Sequence, residues 1–159
     1  LDYTSGKVNE GSKGIMLGLG DPIRQLPRTF EGQLPQFLER AELFCGGCLV
    51  LQGRTFAEDE SLASRVASDP LFANWPLIVL HDDARVARSS TDFLWATWTR
   101  FEPASDIYAS NTSVQRHHLV YKAPIVIDAR TKPGFPDELI VRDDIAQLVD
   151  RRWPEYFSR

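Results

Sequence analysis

The sequence has little of what marks several large classes of protein. It contains only two cysteines in 159 residues, too few for a framework of disulfides. No uninterrupted apolar run approaches the roughly 18 residues of a membrane span, and no apolar secretory signal opens the chain. Lysine and arginine are scattered and the net charge is -4, which argues against a basic surface for nucleic acid. These absences predict a cytoplasmic protein that neither spans a membrane nor binds nucleic acid.

The rest of the composition is that of an ordinary globular domain. Hydrophobic residues make up 43% of the chain and aromatic residues 11%, which argues against disorder. A chain of this length buries roughly two-thirds of its unfolded surface, enough for one core without crosslinks. The chain begins at Leu1 rather than methionine, so we expect a processed product or a piece of a longer polypeptide.

Three short apolar runs predict buried strands, at residues 48–51, Leu77–Leu80 and 124–129. The last two lack polar alternation along their apolar stretch, as expected for strands that are covered on both faces. Helical segments are predicted between and after these runs. Because strands alternate with helices, the sequence predicts a single α/β domain with a mixed, largely parallel sheet flanked by helices.

Helices are predicted over residues 58–67, over 89–101 and from Asp143 onward. The second of them carries Leu94, Trp98 and Phe101 at i, i+4 and i+7. Its aromatic residues Trp95, Trp98 and Phe101 are expected either in the core or at an interface. The last helix has a predicted inner face, formed by Ile145, Leu148, Val149, Arg152 and Trp153.

An aromatic tail follows the last helix. Tyr156 and Phe157 lie beyond Pro154, outside the helical register of the predicted inner face. Tyrosine and tryptophan beside arginine are residue types that dominate the energetics of interfaces. We therefore expect the C-terminal helix and its tail to contact another chain, most readily a two-fold copy of this one.

Cys45 and Cys48 have the C-x-x-C spacing and leave three interpretations open. A redox pair usually follows a strand and opens a helix, whereas Cys48 here precedes an apolar run. A zinc site needs two more ligands, for which His81, His117 and His118 are the available histidines. We favour a structural or incidental pair and expect no bound metal.

Other motifs are incomplete. Gly11 to Gly14 enclose Lys13 among small residues, which suits either a phosphate cradle or a solvated turn. His81, Asp82 and Asp83 follow a predicted strand, where α/β folds place functional groups but where capping carboxylates are also common. Neighbouring His117 and His118 would point to opposite faces of a strand. No complete active site follows from the residues alone.

One longer pattern resembles a known family. Leu77–Leu80 and its acidic turn precede a segment with the frame Trp-Ala-x-x-Thr-Arg-x-x-Pro-x-x-Asp, filled here by Trp95, Ala96, Thr99, Arg100, Pro103 and Asp106. Two further matches follow in order, Ile127-Asp128-Ala129 with Lys132-Pro133 and then Val149-Asp150-x-x-Trp153. Together these motifs resemble the C-terminal domain of the UbiD family, the carboxy-lyases that act like 3-polyprenyl-4-hydroxybenzoate decarboxylase.

The resemblance is strongest over residues 76–157, with residues 6–20 similar to the preceding element of the family. It implies that residues 1–159 form one C-terminal domain, and residues 21–75 are interpreted as a subgroup insertion.

Arg100 is predicted to make a charge-assisted bond to a carboxylate, with Asp106 or Asp128 preferred.

The family resemblance also carries expectations about chemistry. It implies a lyase that decarboxylates or carboxylates aromatic or unsaturated acids, a flavoprotein using prenylated FMN with a divalent metal (Mn or Mg) and K⁺. The family's catalytic residues and metal ligands lie in an N-terminal domain that this chain does not resemble. No catalytic residue, metal ligand or cofactor is therefore expected in this chain alone, apart from Lys13 as a candidate contact to the flavin phosphate.

The implied role is that of a C-terminal domain or small subunit serving assembly and closure of the active site. Its implied partners are a catalytic N-terminal domain or large subunit, together with a second copy in a homodimer or higher oligomer. The alternative is a non-catalytic module of the same fold that only binds partners.

Overall fold

The computed structural model describes residues 19–22, 24–136 and 141–157. Its described part contains five strands in one sheet and three α-helices. The strands are β1 (Leu38–Cys45), β2 (Cys48–Gly53), β3 (Leu77–Leu80), β4 (Ile107–Gln115) and β5 (His118–Asp128). The helices are α1 (Leu62–Ser68), α2 (Ser90–Thr99) and α3 (Asp143–Phe157).

The sheet has the order β1-β2-β3-β5-β4. The two inner pairings, β2 with β3 and β3 with β5, are parallel, while each edge strand pairs antiparallel with its neighbour. Two of the four pairings are thus parallel, and the predicted α/β class with a mixed sheet is confirmed.

The three central strands form the buried middle of the domain. Ile78, Val79 and Leu80 are at most 1% exposed, because apolar groups cover both faces of β3. Val126 is completely buried on the adjacent strand, while Ile125 beside it is half-buried. The prediction that these two apolar runs are buried strands of one sheet is confirmed, and the two strands are direct neighbours.

Alternate residues of the central strands feed two separate cores. On one face, Leu49 and Ile78 pack with Leu62 and Val66 of α1 and with Phe72. Strand residues such as Val50 and Val79, which alternate with these, point to the other face and join a second cluster. That cluster consists of Cys48, Val50, Val79, Ala84, Ala87, Phe93, Ile127 and Ala129. The fold therefore has helices on both sides of its sheet, as a doubly covered sheet requires.

Helix α2 begins at the cap that the sequence indicated, and it buries Phe93 rather than Leu94 and Trp98. The Ser89 side chain accepts a hydrogen bond from the backbone N–H of Asp92, which satisfies one of the free donors of the first turn. Leu94 and Trp98 are 50% and 57% exposed, whereas Phe101 packs against the second core. Phe93 packs into the same core, stacked on Phe44 at a centroid distance of 3.7 Å.

The edge strands β1 and β4 were not predicted. Residues 110–120 are all exposed, and β4 joins β5 through a turn in which Arg116 and His117 have positive φ. The sequences of β1 and β4 mix polar and apolar residues because an edge of the sheet is only partly covered. Residues 38–68 supply β1 and β2 to this sheet and α1 to one of its faces. That residues 21–75 are an insertion relative to the family that the sequence resembles stays a prediction.

Helix α3 starts at Asp143 as predicted, but its predicted inner face is not covered. Ile145, Leu148, Trp153 and Tyr156 are between 42% and 56% exposed. The helix also continues through Pro154 to Phe157, so the expectation that the tail leaves the helix at the proline was wrong. The last turn places Trp153 against Tyr156, with ring centroids 6.4 Å apart.

Among the described residues, no helix is long and apolar enough to cross a membrane.

Candidate functional site

A cluster of charged residues lies where β3 and β5 end side by side. Leu80 is paired with Asp128 in the parallel register, so His81 and Asp82 continue beside Ala129 and Arg130. The carboxyl ends of parallel strands are where α/β proteins place functional groups. We call this cluster the carboxyl-end cluster; its charged members are Asp82, Arg100, Asp106, Asp128, Arg130 and Lys132, with His81 beside them.

Arg130 and Asp128 form a fully buried ion pair at its centre. The guanidinium donates through Nε to Asp128 Oδ1 at 2.9 Å and through NH2 to Oδ2 at 2.6 Å, and the two side chains are 1% and 0% exposed. The third nitrogen donates to the carbonyls of Arg54 and Asp59, each at 2.9 Å. The pair ties the end of β5 to the loop between β2 and α1.

Lys132 occupies a cage of oxygens. Its ammonium lies 3.0 Å from Asp106 Oδ2, and within 3.2 Å of the carbonyl oxygens of Arg100, Asp128 and Arg130. Asp106 also accepts the backbone N–H of Glu102 at 2.7 Å. A single ammonium thus joins the end of β5 to the turn that follows α2.

Asp82 connects the same turn to β3. Its Oδ2 accepts the backbone N–H and the hydroxyl of Thr131 at 2.8 and 2.7 Å, and Arg100 NH1 donates to it at 3.3 Å. The prediction that Arg100 bonds to a carboxylate is confirmed. The preference for Asp106 or Asp128 was wrong, because Lys132 and Arg130 already bind those two carboxylates.

His81 lies between two neighbouring residues, Arg100 and Asp83. Arg100 NH1 lies 3.2 Å from Nε2, and a guanidinium can only donate. Nδ1 lies 2.9 Å from the carbonyl oxygen and 2.9 Å from the backbone nitrogen of Asp83, so both ring nitrogens are within hydrogen-bond distance of a neighbour. Burial lowers the pKa of His81 below its ordinary value, and the positive charge of Arg100 lowers it further.

The charged groups of the carboxyl-end cluster are paired with one another. Three carboxylates face three cationic side chains, so the charges balance within the cluster. Both nitrogens of His81 lie within hydrogen-bond distance of neighbouring groups. Asp83 caps the following 3₁₀ turn by accepting the N–H of Arg85 at 2.9 Å, the capping alternative for a carboxylate after a strand.

The remaining predicted site residues are dispersed. Lys13 lies outside the described residues. Cys45 and Cys48 are free thiols that face each other across the β1–β2 hairpin, and no group of three His, Cys, Asp or Glu in the described part of the chain is placed to hold a metal ion. His117 lies in the turn between β4 and β5, and His118 begins β5, far along the hairpin from His81.

Sequence reasoning missed Arg130 and Thr131. One signal was present, because Asp128 and Arg130 are two residues apart, and alternate residues of an extended segment share a face. The contacts of Thr131 with Asp82 had no such signal, since they join segments 49 residues apart.

The outer face of α2 is exposed and aromatic. Trp95 is 65% exposed and Trp98 is 57% exposed. They line a shallow cavity of about 410 Å³ with Thr91, Leu94 and Thr99. Large exposed apolar surfaces of this kind mark contacts with other proteins or ligands. This face adjoins the carboxyl-end cluster, because Arg100 directly follows the helix.

Comparison with known proteins finds relatives that are similar to this chain along almost its whole length. The chain is 42% identical over 158 residues to a protein of Chlamydia pneumoniae named as a subunit of 4-hydroxybenzoate decarboxylase, a match that covers 99% of this chain and 26% of that protein. An uncharacterized protein of Chlamydia trachomatis serovar D is 39% identical over 158 residues, covering 99% of this chain and 27% of that protein. The chain therefore spans about a quarter of the length of the curated relatives it matches.

Two further comparisons accompany this match. Vanillic acid decarboxylase of Sedimentibacter hydroxybenzoicus in its open form is 16% identical, with a TM-score of 0.41, over 70% of this chain and 26% of that one. No protein-family model matches the chain.

Proposed function

We propose that this chain is the C-terminal domain or small subunit of a UbiD-like carboxy-lyase, in which it serves assembly and closure of the active site. The enzyme would decarboxylate, or reversibly carboxylate, an aromatic or unsaturated acid in the cytoplasm. The observation that carries the proposal is the 42% identity, over almost the whole chain, with a protein named as part of a 4-hydroxybenzoate decarboxylase.

The chemistry of the carboxyl-end cluster supports a role in positioning. Its cations and carboxylates neutralise one another, and the imidazole of His81 is engaged on both sides. In this proposal the cluster fixes the turn after α2 and thereby the orientation of the aromatic face of that helix. A catalytic partner docks on this face, which holds Trp95 and Trp98.

The groups that the family resemblance implies do not fit the described residues. Prenylated FMN, a divalent metal and K⁺ would require ligands, yet residues 19–22, 24–136 and 141–157 offer no cluster of three metal-binding side chains. Lys13, the candidate for the flavin phosphate, lies outside those ranges. We assign these groups to the catalytic partner and route no step of the chemistry through this chain.

The second contact surface that we propose for this chain is α3. Its apolar side chains are exposed along one stretch of helix, and this is the segment we expect at a contact between two copies of the chain. Two separate apolar surfaces thus serve two partners, with the catalytic partner on α2 and the second copy on α3.

The test compares the complete enzyme with a form that lacks residues 1–159 of this chain. Conversion of 4-hydroxybenzoate to phenol and CO₂ is followed in both. We expect the shortened form to lose at least about tenfold in rate, because an open cleft admits water and misplaces the substrate. Full activity in the shortened form would overturn the proposal.

A double variant separates docking from folding. Trp95→Ala with Trp98→Ala removes the exposed aromatic face of α2, and we expect it to weaken association with the catalytic partner and lower the rate. The control is Val114→Ser on the β4–β5 hairpin, where the side chain is 71% exposed. If both variants lose association equally, or if neither loses it, docking on α2 is contradicted. A module with other partners is then favoured.

A further inference from the structure

The β1–β2 hairpin brings the two cysteines of the chain together. Cys45 and Cys48 are direct partners in the antiparallel register, and only Gly46 and Gly47 separate them. Directly opposed residues of antiparallel strands have Cα atoms about 4.5 to 5.5 Å apart, which lies within the range that a disulfide bridges. The hairpin register thus places the two thiols opposite each other.

The turn is built for this approach. Gly47 has φ of +84°, a conformation that favours glycine, and a side chain there would meet Pro76 Cγ at 3.0 Å. Its N–H donates to the carbonyl of Pro27 at 2.8 Å, and its own carbonyl accepts the N–H of Leu77 at 3.2 Å. These bonds fix the turn against β3 and hold the two thiols in register.

The two thiols are in different environments. Cys45 is exposed, whereas Cys48 is 4% exposed and packs in the core beneath α2. Burial, together with the neighbouring Cys45 thiol, raises the pKa of Cys48 to about 12. An incoming disulfide can therefore reach only Cys45, and Cys48 can react only with a sulfur already bound beside it.

We propose that Cys45 and Cys48 form a reversible redox pair that closes to an intrachain disulfide by exchange with a low-molecular-weight disulfide such as glutathione disulfide. The Cys45 thiolate attacks one sulfur of glutathione disulfide, the S–S bond breaks, and one glutathione thiolate leaves. The Cys48 thiolate then attacks Cys45 in the mixed disulfide and releases the second glutathione. The chain loses two electrons and two protons, and glutathione disulfide is reduced to two glutathione molecules.

A shared metal is the weaker use of the same pair. Two thiolates supply half of a tetrahedral zinc site, and the described residues add no third ligand to them. The disulfide needs no further residue. This modification site is independent of the proposed carboxy-lyase function, because it lies on the hairpin and uses neither the carboxyl-end cluster nor α3.

The test treats the chain, in the assembly in which it is isolated, with glutathione disulfide and follows the masses of the tryptic peptides. Both cysteines fall in the segment between Arg40 and Arg54, so one peptide reports the whole reaction. We expect this peptide to gain one glutathione transiently and then to lose it, ending lighter than the reduced peptide by two hydrogen atoms. The second step should accelerate with pH, because it needs the Cys48 thiolate.

Two variants assign the roles of the thiols. Cys48→Ala should stop at the glutathione adduct on Cys45, and Cys45→Ser should stay unmodified because Cys48 is buried. A wild-type peptide that stops at the adduct, or that does not react, would overturn the proposal. Modification of Cys48 in the Cys45→Ser variant at the wild-type rate would overturn the assignment of Cys45 as the attacking thiol.

Discussion

At the scale of single residues, Arg130 and Asp128 show how much a buried charge depends on its partner. Every oxygen of Asp128 and every nitrogen of Arg130 has a hydrogen-bond partner inside the protein. Removing one member of such a pair leaves the other charged and without solvent. The pair is therefore a point at which one substitution has a large effect.

We predict that Arg130→Met lowers the free energy of unfolding by about 3–5 kcal/mol, because Asp128 stays buried without its cation. Arg142→Met is the matched control. Arg142 forms the same two-pronged bond with Asp144, but the side chains are 74% and 61% exposed, so the expected change is within about 0.5 kcal/mol. Urea unfolding measures both, and similar losses in the two variants would contradict the importance of burial.

The second prediction at this scale concerns pH. The unfolded imidazole of His81 takes up a proton near its ordinary pKa of 6.5, whereas burial and Arg100 hold the folded pKa lower. Below pH 6.5 the unfolded chain therefore binds more protons at this site, and stability falls as the pH falls. Asp83 does not titrate in this window, because Arg85 holds its pKa at about 2.

We expect the wild type to lose more unfolding free energy between pH 7.5 and pH 5.0 than His81→Asn, which has no imidazole to protonate. Urea unfolding at the two pH values gives the comparison. An identical pH dependence in the two proteins would show that His81 takes up no extra proton on unfolding.

At the scale of elements, helices α2 and α3 differ in how much they pack against the rest of the chain. Phe93 anchors α2 to the second core, while α3 has its apolar side chains exposed. Most of the stability of a helix in a protein comes from packing of its apolar face. Helix α3 is therefore the element whose role depends most on a partner.

Two tryptophans, one in the first core and one on α3, test whether α3 packs within its own chain. Trp75 is 4% exposed beside Phe30, and Trp75→Ala should lower the free energy of unfolding by about 3–5 kcal/mol. Trp153 is 56% exposed, and Trp153→Ala should change it by about 0.5 kcal/mol or less. Both are measured by urea unfolding at low protein concentration, where assembly does not contribute. A large loss in Trp153→Ala would mean that α3 is packed within its own chain.

At the scale of the whole molecule, the distribution of exposed aromatic side chains predicts assembly. Trp153 and Tyr156 lie together at the end of α3, and specific interfaces bury at least about 1,000 Å² in total. We predict that the chain is a dimer at tens of micromolar and that truncation after Arg152 makes it monomeric. Light scattering measures both. A monomeric wild type, or an oligomer that survives truncation, would remove the dimer from the proposed function.

The sequence alone was enough for the central strands, the start of α3 and the cap of α2. These features are recorded locally, since an uninterrupted apolar run reflects burial on both faces and Ser89 with Asp92 forms its cap within one turn. The family motifs are local in the same sense, because they are read within short segments. The edge strands β1 and β4 escaped prediction because partial exposure removes the apolar pattern.

Tertiary structure decided which residues meet and which face is buried. Whether Phe93 or Trp98 turns inward depends on the shape of the second core, and both side chains satisfy a helical spacing. Thr131 and Asp82, or Arg130 and the carbonyl of Arg54, come together only through the strand order β2-β3-β5. The pairing of Cys45 with Cys48 likewise follows from the hairpin register. A spacing of three residues is compatible with a helix and with a turn, and the pairing of β1 with β2 determines that it is a turn.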